Sequence, residues 1–203
     1  MFSKNTAQHI LKTSSLILLG YVFFGTANIL LHFLRPDLTL LQTTISDFAN
    51  GPYGWLMQLA LVVLGVASLL LTICLSKILL PGKLKNTALT FFLIMNLSTI
   101  TVGIFKVDAA GADTSLSGTI HLISAFLCFT AFLVGSIAFS FYIRHDDAWK
   151  NVRPYLKYWA WAGIPLFCLL ALPVEYRGLS EKIYTADIVI FLAFLAVQIR
   201  SKL

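Results

Sequence analysis

Two carboxylates and an imidazole stand out in this sequence of 203 residues. Asp108 and His121 bracket a glycine-bearing polar stretch, Phe105 to His121, and Asp47 lies in a second polar stretch upstream. Imidazole titrates near neutral pH, and a carboxylate beside it can orient it or share its proton, the minimum for acid–base chemistry. Asp47, Asp108 and His121 are therefore the candidate catalytic residues. His32, Ser46, Arg177 and Asp187 are candidate substrate-binding groups: a second imidazole, a hydroxyl, a fixed cation and a carboxylate set inside an apolar run. A metal site would need three or four His, Asp or Glu ligands. His32, His121, Asp47 and Asp108 could supply that number, but no pair has the local spacing of a zinc motif, so no metal is assigned. A Ser-His-Asp set from Ser46 or Ser117 with His121 and Asp108 lacks the Gly-x-Ser-x-Gly elbow. No P-loop or dinucleotide fingerprint is present, and any cofactor is unknown.

The elements that must position these groups are membrane helices. The chain is 58% hydrophobic and 12% charged, with mean hydropathy +0.84. Soluble domains carry roughly twice that share of charge. Apolar runs recur that are long enough to cross a hydrocarbon core about 30 Å thick. They do not alternate as barrel strands would. The fold class expected is all-α: one polytopic bundle over 1–203, with spans at roughly 14–33, 53–76, 87–105, 116–143, 158–174 and 183–199. The first is read as a retained span, because a signal peptide has a shorter apolar region of about 7–15 residues. Cys74, Cys128 and Cys168 each sit in an apolar run, which argues against a disulfide framework.

Six spans put both termini on one side. The terminal segments and the second and fourth loops hold 11 Lys and Arg. The first, third and fifth loops hold 4: Arg35, Lys106, Arg177 and Lys182. The positive-inside rule then places both termini in the cytoplasm and the Asp- and His-bearing loops outside, in a plasma (inner) membrane. The net charge of +6 is accounted for by this topology, so no nucleic-acid partner is expected.

Several polar residues have plainer roles. Thr114, Ser115 or Ser117 is expected to cap the fourth span, and Asp113 either joins that cap or is solvated. Asn28, Gln58 and Asn96 are expected to bond between helices. Asp187 is costly in the membrane unless paired or protonated, and Lys106, Arg177 and Lys182 are the cations in reach. Two readings of Asp187 stay open, a locking ion pair and a proton- or cation-carrying group.

Ile45-Ser-Asp47 with Gly51-Pro-Tyr-Gly-Trp-Leu-Met57, Gly103-Ile-Phe-Lys-Val-Asp108 and Leu116-Ser-Gly-Thr-Ile-His121 resemble a family of small six-span prokaryotic membrane proteins, domain of unknown function 998. The resemblance covers nearly the whole chain. It implies the six-span architecture and marks Ser46, Asp47, Gly51, Asp108, Gly118 and His121. Lys106 departs from the pattern, which often has proline there. The resemblance implies no substrate. Three functions are expected: a lipid-handling protein or membrane hydrolase or transferase acting on an amphipathic substrate in the bilayer, a scaffold or accessory subunit, or a small proton-coupled transporter using Asp187.

Overall fold

A computed structural model describes residues 4–109 and 111–202. Six long helices account for most of it: α1 (Lys4–Leu34), α2 (Gly54–Ile78), α3 (Lys83–Ile104), α4 (Leu116–Tyr142), α5 (Arg153–Cys168) and α6 (Arg177–Arg200). Short 3₁₀ turns punctuate the connections, and no strand occurs among the described residues. Each helix packs on its chain neighbour, and α1 closes the ring against α6. Five helical stretches are long and apolar enough to cross a membrane. This is a multi-pass helical membrane protein.

Helix bounds differ from the expected spans in three places. α1 begins ten residues earlier than expected, with its polar first turns already helical. α5 runs from Arg153, because Pro154 suits a first turn whose N–H groups are free anyway, and stops at Cys168, three residues past the internal Pro165. Sixteen residues of α-helix rise about 24 Å, and the following 3₁₀ turn Leu169–Ala171 carries the chain on to Pro173. α6 begins at Arg177 rather than near 183, which brings Glu181 and Lys182 into its first turns.

Interhelical polar bonds are few and specific. Asn96 donates to Thr72 Oγ1 at 2.8 Å between α3 and α2, and Gln58 donates to the carbonyls of Gly103 and Ile104 at 3.4 Å. The Tyr184 hydroxyl donates to the Phe129 carbonyl at 3.1 Å, joining α6 to α4. α2 and α3 approach closely: a Cβ at Gly65 would fall 2.9 Å from the Ile100 amide, and one at Gly103 would fall 2.8 Å from the Val62 amide. Such small residues let membrane helices gain dispersion contact where no hydrophobic force separates them from lipid.

Two ends of the bundle follow from the loop bonds. At the Trp149 end, Trp149 is fully buried and edge-on to Phe139, Tyr142 donates to Asp146, and Lys202 donates to the Ala148 carbonyl. The chain's C-terminal segment therefore lies beside the 143–152 connection. The opposite, Arg35 end gathers the connections α1–α2, α3–α4 and α5–α6.

Candidate functional site

Residues 35–53 form the floor of the Arg35 end. Arg35 is buried and makes a two-point contact with Asp37, Nε to Oδ1 at 2.9 Å and Nη2 to Oδ2 at 2.7 Å. Its Nη1 donates to the Asn50 carbonyl at 2.6 Å, closing the loop on itself. The Arg35 guanidinium holds the Asp37 carboxyl below its ordinary range. Asp47 is the second residue of the 3₁₀ turn Ser46–Ala49; Thr44 N–H donates to its Oδ2 at 2.8 Å and its own N–H donates to Thr44 Oγ1 at 3.2 Å. This reciprocal pair is a capping box in miniature.

Helix α6 and the α3–α4 connection pin that loop in place. Leu179 N–H donates to the Leu41 carbonyl at 2.9 Å, and Ile45 N–H donates to Glu181 Oε1 at 3.0 Å. Lys182 Nζ donates to the carbonyls of Leu40 and Thr43. Gly178 permits the approach, since a Cβ there would lie 2.3 Å from the Thr43 carbonyl oxygen. Asn50 Nδ2 donates to the Val107 carbonyl at 3.1 Å, tying the same loop to the α3–α4 connection.

Asp108 sits over the start of α4. Its Oδ1 accepts from Ser115 Oγ at 2.6 Å and its Oδ2 from Ser115 N–H at 3.0 Å. Ser115 Oγ in turn accepts from Gly118 N–H at 3.0 Å, so Ser115 is the N-cap. These two donors, aided by the nearby His121, hold the Asp108 carboxyl below its ordinary value. A Cβ at Gly118 would lie 1.8 Å from Asp108 Oδ2, so the carboxylate occupies the space that any larger side chain would need. His121 is 2% exposed, and its Nδ1 lies 2.7 Å from the Phe105 carbonyl at the end of α3. The imidazole thus joins the two helices that flank the Asp108 turn.

Three spaces open from this end and share walls. A polar basin of about 740 Å³ is lined by Arg35, Asp47, Asn50, Asp108, Glu175 and Arg177 among others. A lateral groove of about 500 Å³ runs between α4 and the α5–α6 corner, lined by Leu122, Phe126, Phe129, Phe167, Leu170 and Ala171 with Arg177 and Glu181. A small interior cavity of about 60 Å³ lies between α2, α3, α4 and α6, with Ser46, Thr99, Cys128 and Glu181 on its wall. Leu122 and Arg177 belong to both basin and groove. Ala125, Phe129 and Glu181 belong to both groove and interior cavity.

The candidate residues therefore separate. Asp47, Asp108 and Arg177 share the basin, and Ser46 faces the interior cavity. His32 lies on the α1 side, Nδ1 2.9 Å from the Asn28 carbonyl and its ring 4.7 Å from that of Phe48, with Nε2 buried and unpartnered. Asp187 is in the α5–α6 seam. Its Oδ1 accepts from Trp159 Nε1 at 2.5 Å, and Oδ2 is buried without a partner. An indole N–H, and none of Lys106, Arg177 or Lys182, is its hydrogen-bond donor. Among the described residues no three His, Cys, Asp or Glu side chains converge as metal ligands.

Glu181 is the residue that sequence reasoning undervalued. It holds the first loop, and it stands where groove meets interior cavity. A carboxylate followed by a lysine in a charged segment reads as solvated, and the early start of α6 is what turns it inward.

The family model described as "Protein of unknown function (DUF998)" matches residues 18–198. No curated protein and no solved structure matches the chain. The matched segment takes in the basin, the groove and every candidate residue, and the chain belongs to the DUF998 family.

Proposed function

We propose that this protein binds an amphipathic, lipid-like molecule at the extracytoplasmic surface of the plasma membrane, with the polar head in the basin and the chain in the lateral groove. The observation that carries the reading is the shared wall. Leu122 and Arg177 line both spaces, so a compartment bearing charged side chains adjoins an apolar one at these two residues. Both volumes fall within the range of about 300–1,000 Å³ common for small-molecule sites. The orientation rests on the 11-to-4 distribution of Lys and Arg, which favours cytoplasmic termini.

Native mass spectrometry of the protein extracted in mild detergent tests this reading. Wild-type protein is expected to retain a lipid. Leu122→Trp, at a half-exposed position on the shared wall, should lower occupancy about tenfold, as loss of a well-packed apolar contact would. Equal occupancy in a folded Leu122→Trp variant, or none in the wild type, rejects the site.

A second reading adds chemistry on the bound molecule, with Asp47, Asp108 and His121 as acid–base groups. It is favoured by the common basin of the two aspartates and by the place of His121 in the first turns of α4, the helix start on which Asp108 sits. Full complementation of a deletion strain by folded Asp47→Asn and His121→Gln variants would eliminate it.

A further inference from the structure

The order of charges along the connected spaces carries the reading further. Starting in the membrane, the groove presents Phe126, Phe129, Phe167 and Leu170. Arg177 stands at the junction, and no hydrogen bond or ion pair engages its guanidinium among the described residues. Beyond it, on the basin wall, come the carboxylates Asp47, Asp108 and Glu175. Arg35, the other cation there, is already neutralised by its two-point contact with Asp37. The groove's own carboxylate, Glu181, is turned to the Ile45 amide at the interior cavity. With Glu181 and Arg35 so engaged, the remaining charge reads apolar, then positive, then negative.

We propose that the bound molecule is an aminophospholipid, its acyl chain in the groove, its phosphodiester on Arg177 and its ammonium among the basin carboxylates. This assignment rests on the lipid reading above and adds the headgroup class. A purely anionic headgroup would gain Arg177 but meet three carboxylates. A purely cationic one would have to pass its charge beside a fixed guanidinium. A phosphodiester followed by an ammonium matches both in sequence. Arg suits the phosphate because its planar fork donates two hydrogen bonds at once. Within the carboxylate set the contributions differ. Asp108 already accepts two bonds from Ser115, and Asp47 Oδ2 accepts one from Thr44, so these two chiefly supply negative potential. Glu175 is exposed and unbonded among the described residues, and it is the group free to pair directly with the ammonium.

The test compares phosphatidylethanolamine, phosphatidylglycerol and chain-free glycerophosphoethanolamine, titrated against the detergent-purified full chain by native mass spectrometry. Wild-type protein should favour phosphatidylethanolamine over phosphatidylglycerol of the same chains by about tenfold, the scale of one charge-assisted contact. Arg177→Ala should weaken both lipids. Glu175→Gln, at an exposed position whose side chain makes no hydrogen bond or ion pair among the described residues, should weaken phosphatidylethanolamine alone and bring the two lipids level. Asp47→Asn, which keeps an acceptor for Thr44, should move the ratio the same way. A wild-type preference for phosphatidylglycerol, or a ratio unmoved by Glu175→Gln and Asp47→Asn, overturns the headgroup assignment while leaving lipid binding intact. Glycerophosphoethanolamine binding as tightly as the lipid overturns the role of the groove. Binding of neither lipid overturns the lipid reading itself.

Discussion

Gly118 and Asp108 illustrate how much of this molecule is set by single atoms. The carboxylate fills the volume where a Cβ at position 118 would stand, and through Ser115 it caps α4. Gly118→Ala should displace Asp108, undo the cap and cost about 1–3 kcal/mol. Thermal unfolding in detergent measures it, and the loss should be much smaller in an Asp108→Ala background, because the two sites are coupled. The same contact sets a pH dependence. The folded carboxyl lies below its ordinary value of 3.8 because Ser115 donates to it twice. A depressed folded value contributes stability that is complete above the ordinary value and disappears as pH falls through the folded one. The melting temperature of the wild type should therefore fall more steeply below about pH 4 than that of Asp108→Asn; superimposable acid limbs would contradict the assignment. The Ser115 cap was readable in advance because a cap is a contact between near neighbours in sequence. The partner of Asp187 was not. Charge alone points to lysine or arginine, while helix packing brings an indole from a different helix.

That indole belongs to the seam between α5 and α6. Trp159 donates to Asp187 and packs edge-on against Phe191, with ring centroids 5.7 Å apart. Trp159→Phe keeps an aromatic ring and removes the donor, leaving a half-buried carboxylate with no bond. We expect destabilisation of about 1–3 kcal/mol, largely recovered in Trp159→Phe with Asp187→Leu, where nothing polar is left unmatched. Failure of the second substitution to recover stability would show that packing, not the lost hydrogen bond, holds the seam. The helix bounds tell a related story. Hydropathy located the six long helices, because a run of lipid-compatible side chains is a property of composition; five of them are long and apolar enough to cross a membrane, and α5, expected as a span over 158–174, is not in that set. It placed α5 late at both ends, because the first-turn fit of Pro154 and the change to a 3₁₀ turn after Pro165 are backbone events that apolar content does not encode. It placed α6 late because the charged residues 177–182 look like loop until the first loop arrives to accept their amides and ammonium.

Across the molecule, the two ends of the bundle have different characters. The Trp149 end is built on a buried aromatic cluster beside a space of about 380 Å³, and the Arg35 end opens through the larger basin. Cysteines introduced at Ala112 and Asp147, both exposed, in a chain lacking its native cysteines, should report opposite sides. A membrane-impermeant maleimide should label position 112 in intact cells and position 147 only after lysis; the reverse pattern would invert the orientation and move the basin to the cytoplasm. The all-helical membrane class, the approximate helices and the grouping of acidic and histidine residues at one end follow from composition, hydropathy and loop charge, because these are sums over local segments. Which of those groups share a space does not follow from them. Ile45 and Glu181 are 136 residues apart, yet one hydrogen bond joins them and shapes both the basin floor and the mouth of the interior cavity. Asp47, Asp108 and Arg177 meet in one basin, while His121, His32 and Asp187 are drawn into separate helix seams. That division depends on where backbone carbonyls and amides from distant loops fall in three dimensions, and a one-dimensional pattern does not carry it.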